Sequence, residues 1–154
     1  MNSKIIEALL SPYNENSRFL KSFELLGEKG LASFETNSNF YCISQQPVHH
    51  FTAVELQVCL NQLLYTYFAR LGLLNYDKNA SLNPDFINAL NANNFIIEQN
   101  THFKKAINAS QPIKGEIEIT KSKKIGDSSY IECSFLFGDG CFGTVKSILK
   151  NGNI

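Results

Sequence analysis

The chain has 154 residues, enough for one domain that can bury a core without staples. Lys plus Arg equals Asp plus Glu at 14 each, so the cationic excess that binders of phosphate backbones or anionic lipid carry is missing, and nucleic acid is excluded as an expected partner. Cys42, Cys59, Cys133 and Cys141 form no C-x-x-C pair and stand beside apolar or aromatic neighbours, the pattern of reduced, buried thiols rather than of disulfides or metal ligands.

The amino terminus, "MNSKIIEALLSPYNEN", has a short apolar run broken by Glu7 and no small-residue cleavage site, so it does not read as a signal peptide and the expected compartment is the cytoplasm. Ile5 to Leu10 predicts a short helix that Pro12 prevents from continuing. "SRFLKSFELL" and "LASFET" then flank Gly27-Glu28-Lys29-Gly30, which predicts a β-hairpin around a glycine-marked turn, and "NFYCIS" closes this β region.

Thr52 to Arg70 predicts one long helix, with no Gly or Pro inside it and Gly72 just beyond its end. Val54, Leu56, Val58, Leu60, Leu63, Leu64, Tyr65, Tyr67 and Phe68 spread around most of its circumference, which predicts a core helix covered on nearly every side. The run from Phe51 to Leu74 approaches the length of a membrane span, but a carboxylate, a guanidinium and three carboxamides within it argue against insertion. Residues 75–94 form an asparagine-rich insertion with helix punctuation: Asn83 as cap, Pro84 at the first helical position, and Asn93 or Asn94 as a stop.

"FIIEQNTHFKKAI", "KGEIEITKSKKI", "SSYIECSFLF" and "GTVKSILK" complete the chain as an antiparallel meander, with turns at Gly126-Asp127 and Gly138-Asp139-Gly140. No repeat or linker divides the sequence, so residues 1–154 are expected to form a single α+β domain. A helix buried on this scale needs a wide partner surface, and a curved antiparallel sheet supplies one.

Chemistry-bearing groups gather at the start of the long helix. Thr52-Ala53-Val54-Glu55 is a T-x-x-E capping box, which accounts for Thr52 and Glu55 without any reaction. It also puts a carboxylate at the positive end of a helix dipole, beside His50 and the open amides of the first turn, and those are the parts needed for proton transfer and oxyanion stabilisation. Asn61 and Gln62 lie farther along on different faces; each suits a hydrogen bond to the sheet or a dimer mate, and Asn61 equally suits a substrate contact. Tyr65 and Tyr67 read as core or interface aromatics.

"HFTAVE" followed by "CLNQLLYTYFA" resembles the signature of the FcoT-like long-chain fatty acyl thioesterases of the hot-dog superfamily, whose pattern runs H-F-N-A-V-E, then C-F-N-Q-L-A-Y. The likeness extends more loosely to "SPY" at 11–13 and "FYCI" at 40–43. It implies a hot-dog fold, an antiparallel sheet wrapped around one long central helix at about 52–70. It also implies a pocket lined by Tyr13, Tyr41 and Asn61, with His50 and Glu55 at the helix entrance and Thr52 and Ala53 against the substrate. One position departs: Thr52 stands where the family has asparagine, and a hydroxyl lacks the donor fork of a carboxamide.

The resemblance implies an enzyme that needs no cofactor or metal and releases a fatty acid from an acyl thioester of coenzyme A or an acyl carrier protein. Its alternative chemistry adds the amine of glycine to a 2-enoyl thioester, as in isonitrile lipid biosynthesis. A 3-hydroxyacyl dehydratase would separate histidine and carboxylate more widely, with a proline-glycine pair ahead of the helix; a non-catalytic acyl-binding subunit would keep the pocket without turnover. Hot-dog protomers pair through continuous sheets, so a homodimer or higher homo-oligomer is expected. Lys104, Lys105, Lys121, Lys123 and Lys124 read as a solvated face rather than a carrier-docking one.

Overall fold

The computed structural model describes residues 3–36, 49–74 and 94–150. Tyr41, Cys42 and the "NFYCIS" strand lie outside the described residues, as does the predicted insertion up to residue 93. The described elements are α1 (Ser3–Leu9), a single 3-10 turn (Glu15–Ser17), β1 (Leu20–Leu26), β2 (Lys29–Phe34), α2 (Ala53–Arg70), β3 (Asn94–Phe103), β4 (Ile113–Ile125), β5 (Ser128–Phe137) and β6 (Cys141–Lys150). The architecture is α+β: one six-stranded antiparallel sheet with one long helix packed on it.

Strand order is β1-β2-β4-β5-β6-β3. The expected meander holds for β4, β5 and β6, but β3 departs from it, pairing with β6 at the far edge instead of with β4. Residues 104–112 make the crossing: Lys104 N–H donates to Gly140 O, and this segment pairs with the chain just ahead of α2. The hairpin β1–β2 joins the sheet through β2–β4.

Alternation sorts the side chains. On β5, Ser129, Ile131, Cys133, Phe135 and Phe137 are buried while their neighbours are half-buried. β1 breaks the period, because Leu20 and Phe23 both face the core; the register shift at Lys21 absorbs the odd residue, as a bulge does. From α2, Leu56, Leu60, Leu63, Leu64, Tyr67 and Phe68 close the other side of this core.

Gly30 belongs to β2 rather than to the turn that its spacing from Gly27 suggests. A Cβ there would come within 2.9 Å of both Ile117 Cγ2 and Tyr67 Cδ2, so the strand can pass beneath the Tyr67 ring only as glycine. The Tyr67 hydroxyl donates to Glu28 O and accepts from Ile119 N–H at 3.2 Å, locking α2 to the hairpin turn and to β4 beside its own bulge.

Candidate active site

Ahead of α2 the chain runs as a short extended segment. His50 bridges to Asn108, Phe51 N–H donates to Ile107 O at 2.9 Å, and Ala109 N–H donates to His49 O at 2.9 Å. Phe51 is buried against the Phe137 ring, whereas His49 and His50, just before it in the paired segment, are exposed. The capping box is complete: Glu55 N–H donates to Thr52 Oγ1 at 3.4 Å, and Thr52 N–H donates to Glu55 Oε2 at 2.8 Å. Leu56 N–H donates to Thr52 O, which leaves the amides of Ala53 and Val54, both at exposed positions, as the open donors of the first turn.

Glu55 is 1% exposed while His50 faces outward, so the structure brings Thr52 and Glu55 together and joins His50 to Asn108 instead. The carboxylate acts here as a cap. Among the described residues the His50 ring has no hydrogen bond to Glu55.

The helix is not covered on nearly every side as its apolar count predicts. Ala53, Val54, Gln57, Val58, Asn61 and Tyr65 form an uncovered or half-covered stripe at three- and four-residue spacing, with Val54 still 46% exposed. Gln57 Nε2 donates to Asn61 Oδ1 at 3.1 Å within that stripe. Tyr13 lies against the same side. Its backbone is pinned by Tyr13 N–H to Leu10 O and by Arg18 Nε to Tyr13 O, both at 2.9 Å. Burial pushes the Tyr13 phenol well above the usual tyrosine range, and the nearby Tyr65 phenol, itself raised by burial, pushes it further. Both phenols are therefore donors at neutral pH.

Gln62, one residue from Asn61, is wholly buried. Its Oε1 accepts from Phe19 N–H and Leu20 N–H at 3.0 Å each, and its Nε2 donates to Ser17 O at 2.6 Å. The expected anchor to the sheet is thus found at Gln62. Cys59, Cys133 and Cys141 are free and buried, with their thiols raised by burial, Cys133 to about 12 and Cys141 to about 11, which removes them as nucleophiles.

Two groups emerge from the predicted site residues. His50, Thr52, Ala53 and Glu55 lie at the helix mouth; Asn61 lies at the middle of α2, about 12 Å farther along the axis by helical rise, with Tyr13 near Tyr65 one turn beyond it. Tyr41 lies outside the described residues. Sequence reasoning gave no site role to Gln57 or Tyr65, although each stands four residues from Asn61, and that spacing was the available signal. Lys105 pairs with Asp139 at 2.5 Å, and the five predicted surface lysines are all exposed. No helix among the described residues is long and apolar enough to cross a membrane.

Comparison with known proteins bears on the fold and on the family. Solved structures share the fold at low identity. A sigma28-regulated virulence protein of Campylobacter jejuni is 10% identical with a TM-score of 0.55, covering 97% of this chain and 98% of its own. A hypothetical thioesterase of Streptococcus pneumoniae, crystallised with coenzyme A, is 11% identical with a TM-score of 0.56, covering 99% and 100%. A mutant thioesterase of Pseudomonas aeruginosa is 10% identical with a TM-score of 0.54, covering 97% and 95%. No curated protein matches by sequence. The sequence profile of the FcoT-like thioesterase domain, however, matches residues 8–146, a span that holds α2, its cap and all of the sheet except the last four residues of β6, and the chain belongs to that FcoT-like thioesterase family.

Proposed function

We propose that the protein is a fatty acyl thioesterase, releasing a free acid from an acyl thioester of coenzyme A or an acyl carrier protein. The observation that carries the reading is the half-covered stripe of α2, where the Asn61 carboxamide stands between Val54 and Val58 on one side and Tyr65, near Tyr13, on the other. Apolar side chains there suit a lipid tail, and neutral N–H and O–H donors suit the carbonyl oxygen of its thioester. Asn61 and the protonated Tyr13 would hold that oxygen as water adds to the carbonyl carbon; collapse of the adduct breaks the C–S bond and the thiol leaves with a proton. Family membership supports thioester chemistry, and a coenzyme A complex in a structural relative supports that carrier.

The helix mouth lies too far along the axis to reach the same carbonyl within one chain. We therefore place it in a second copy, with a homodimer bringing the open amides at Ala53 and Val54, with His50 as base, to the stripe of its mate. Tyr41 would complete the pocket, and reduced buried thiols fit a cytoplasmic setting.

The test is incubation with saturated and 2-enoyl thioesters, with and without glycine, products identified by mass. Free acid from the saturated substrate is the expected result. A glycine adduct formed only from the enoyl substrate would replace hydrolysis by amine addition, hydration of that substrate would indicate a dehydratase, and tight binding with no product would indicate an acyl-binding subunit. Sedimentation at micromolar concentration should give twice the monomer mass.

A further inference from the structure

The bond between the two carboxamides on the uncovered stripe has a direction. Gln57 Nε2 donates and Asn61 Oδ1 accepts, at 3.1 Å. A carboxamide has one accepting end and one donating end, so occupying Oδ1 leaves the NH2 of Asn61 as the end offered to a ligand. That end is the useful one. An oxygen that gains negative charge has to meet donors, and an Asn61 turned by half a rotation would present lone pairs to it instead.

An exposed pair at this spacing adds little to helix stability, so its main consequence is the orientation it imposes. Gln62 shows the alternative, since its carboxamide is fixed by three backbone partners and needs no neighbour on the helix. Among the described residues, the Asn61 side chain has Gln57 as its hydrogen-bond partner.

We propose that Gln57 is a positioning residue: by donating to Asn61 Oδ1 it aims the Asn61 NH2 at the thioester carbonyl oxygen. The inference rests on the acyl-thioester reading given above. It makes the sign of the hydrogen-bonding group at position 57 matter more than its size. Gln57→Leu removes the donor and frees Asn61 to rotate. Gln57→Glu does more, because a carboxylate only accepts and would draw the Asn61 NH2 toward itself, turning Oδ1 to the substrate. Gln57→Lys only donates and keeps Asn61 in its present sense. All three side chains have helix propensities close to that of glutamine, and the position is exposed, so the variants fold.

The experiment is steady-state turnover of octanoyl-, lauroyl- and palmitoyl-coenzyme A by the full chain, read as thiol release. With the best of these substrates, Gln57→Leu should lower kcat about 10-fold with KM nearly unchanged, and Gln57→Glu about 100-fold, the size of a lost oxyanion donor. Gln57→Lys should stay within about threefold of the wild type. Wild-type rates in Gln57→Leu and Gln57→Glu, beside an inactive Asn61→Ala, would overturn the inference and leave the thioesterase reading standing. So would equal losses in Gln57→Lys and Gln57→Leu, since a lost shape rather than a lost donor would explain both. A wild-type protein that turns over none of the thioesters would overturn the reading itself, and the inference with it.

Discussion

Asn61 and Gln62 are neighbours with the same terminal group, set about 100° apart on one helix, and the sheet decides what each can do. Gln62 points into the covered side, where it takes up two backbone N–H groups and one carbonyl at the entry to β1. Asn61 lies on the half-covered side, where one neighbour holds its oxygen and no hydrogen bond among the described residues takes up its nitrogen. A buried carboxamide with every partner supplied by the fold is a rivet; a half-covered one with a directed, unspent donor is what the proposed reaction requires.

Substitutions should separate the two sides cleanly, and the largest effect belongs to the covered one. Gln62→Leu strands the N–H groups of Phe19 and Leu20 in the core, so urea unfolding should show a loss of about 3 kcal/mol and the melting temperature should fall roughly 10 °C. Asn61→Ala should do the reverse, leaving stability within about 0.5 kcal/mol while thiol release falls about 100-fold.

Gly30→Ala tests the covered face from the sheet side. The added methyl meets Tyr67 and Ile117 at 2.9 Å, and an overpacking cost of about 2 kcal/mol in chemical unfolding is expected. Thr52→Ala removes the acceptor for Glu55 N–H and should cost about 1 kcal/mol by the same assay.

The smallest effect lies on the outer face of the sheet. There the Lys146 ammonium, bonded to both Glu98 oxygens at 2.8 Å, holds that carboxyl below its ordinary value of 4.5. A group lowered on folding contributes stability above its unfolded value and loses it as the pH falls through the folded one. Lys146→Met should therefore return the Glu98 carboxyl toward 4.5 in a side-chain NMR titration, and any stability gap between variant and wild type should close in acid.

Local signals were legible in the sequence and long-range ones were not. The T-x-x-E spacing gave the cap directly, because every atom of a capping box lies within four residues. The helix bounds followed from its flanking residues. Gly30 misled because a glycine near a turn and a glycine beneath a crossing ring look alike, and only Tyr67, brought over by the fold, distinguishes them. The far-edge position of β3 depends on where the segment before α2 pairs, which no periodicity reports. Val54 and Val58 match core residues in composition, so the uncovered stripe was invisible until the reach of the sheet was known. The proximity of Tyr13 to Tyr65 is likewise tertiary, and only the family resemblance had placed Tyr13 near the site.

The central claim is that the carboxamide on the uncovered side of α2, and not its buried neighbour, meets the thioester. Side-chain amide NMR resolves the two. Titrating the protein with a non-hydrolysable acyl-coenzyme A ketone analogue should shift the NH2 resonances of Asn61 and, through their bond, those of Gln57, with Gln62 unmoved. An analogue that binds while the Asn61 and Gln57 amides stay in place would contradict the account.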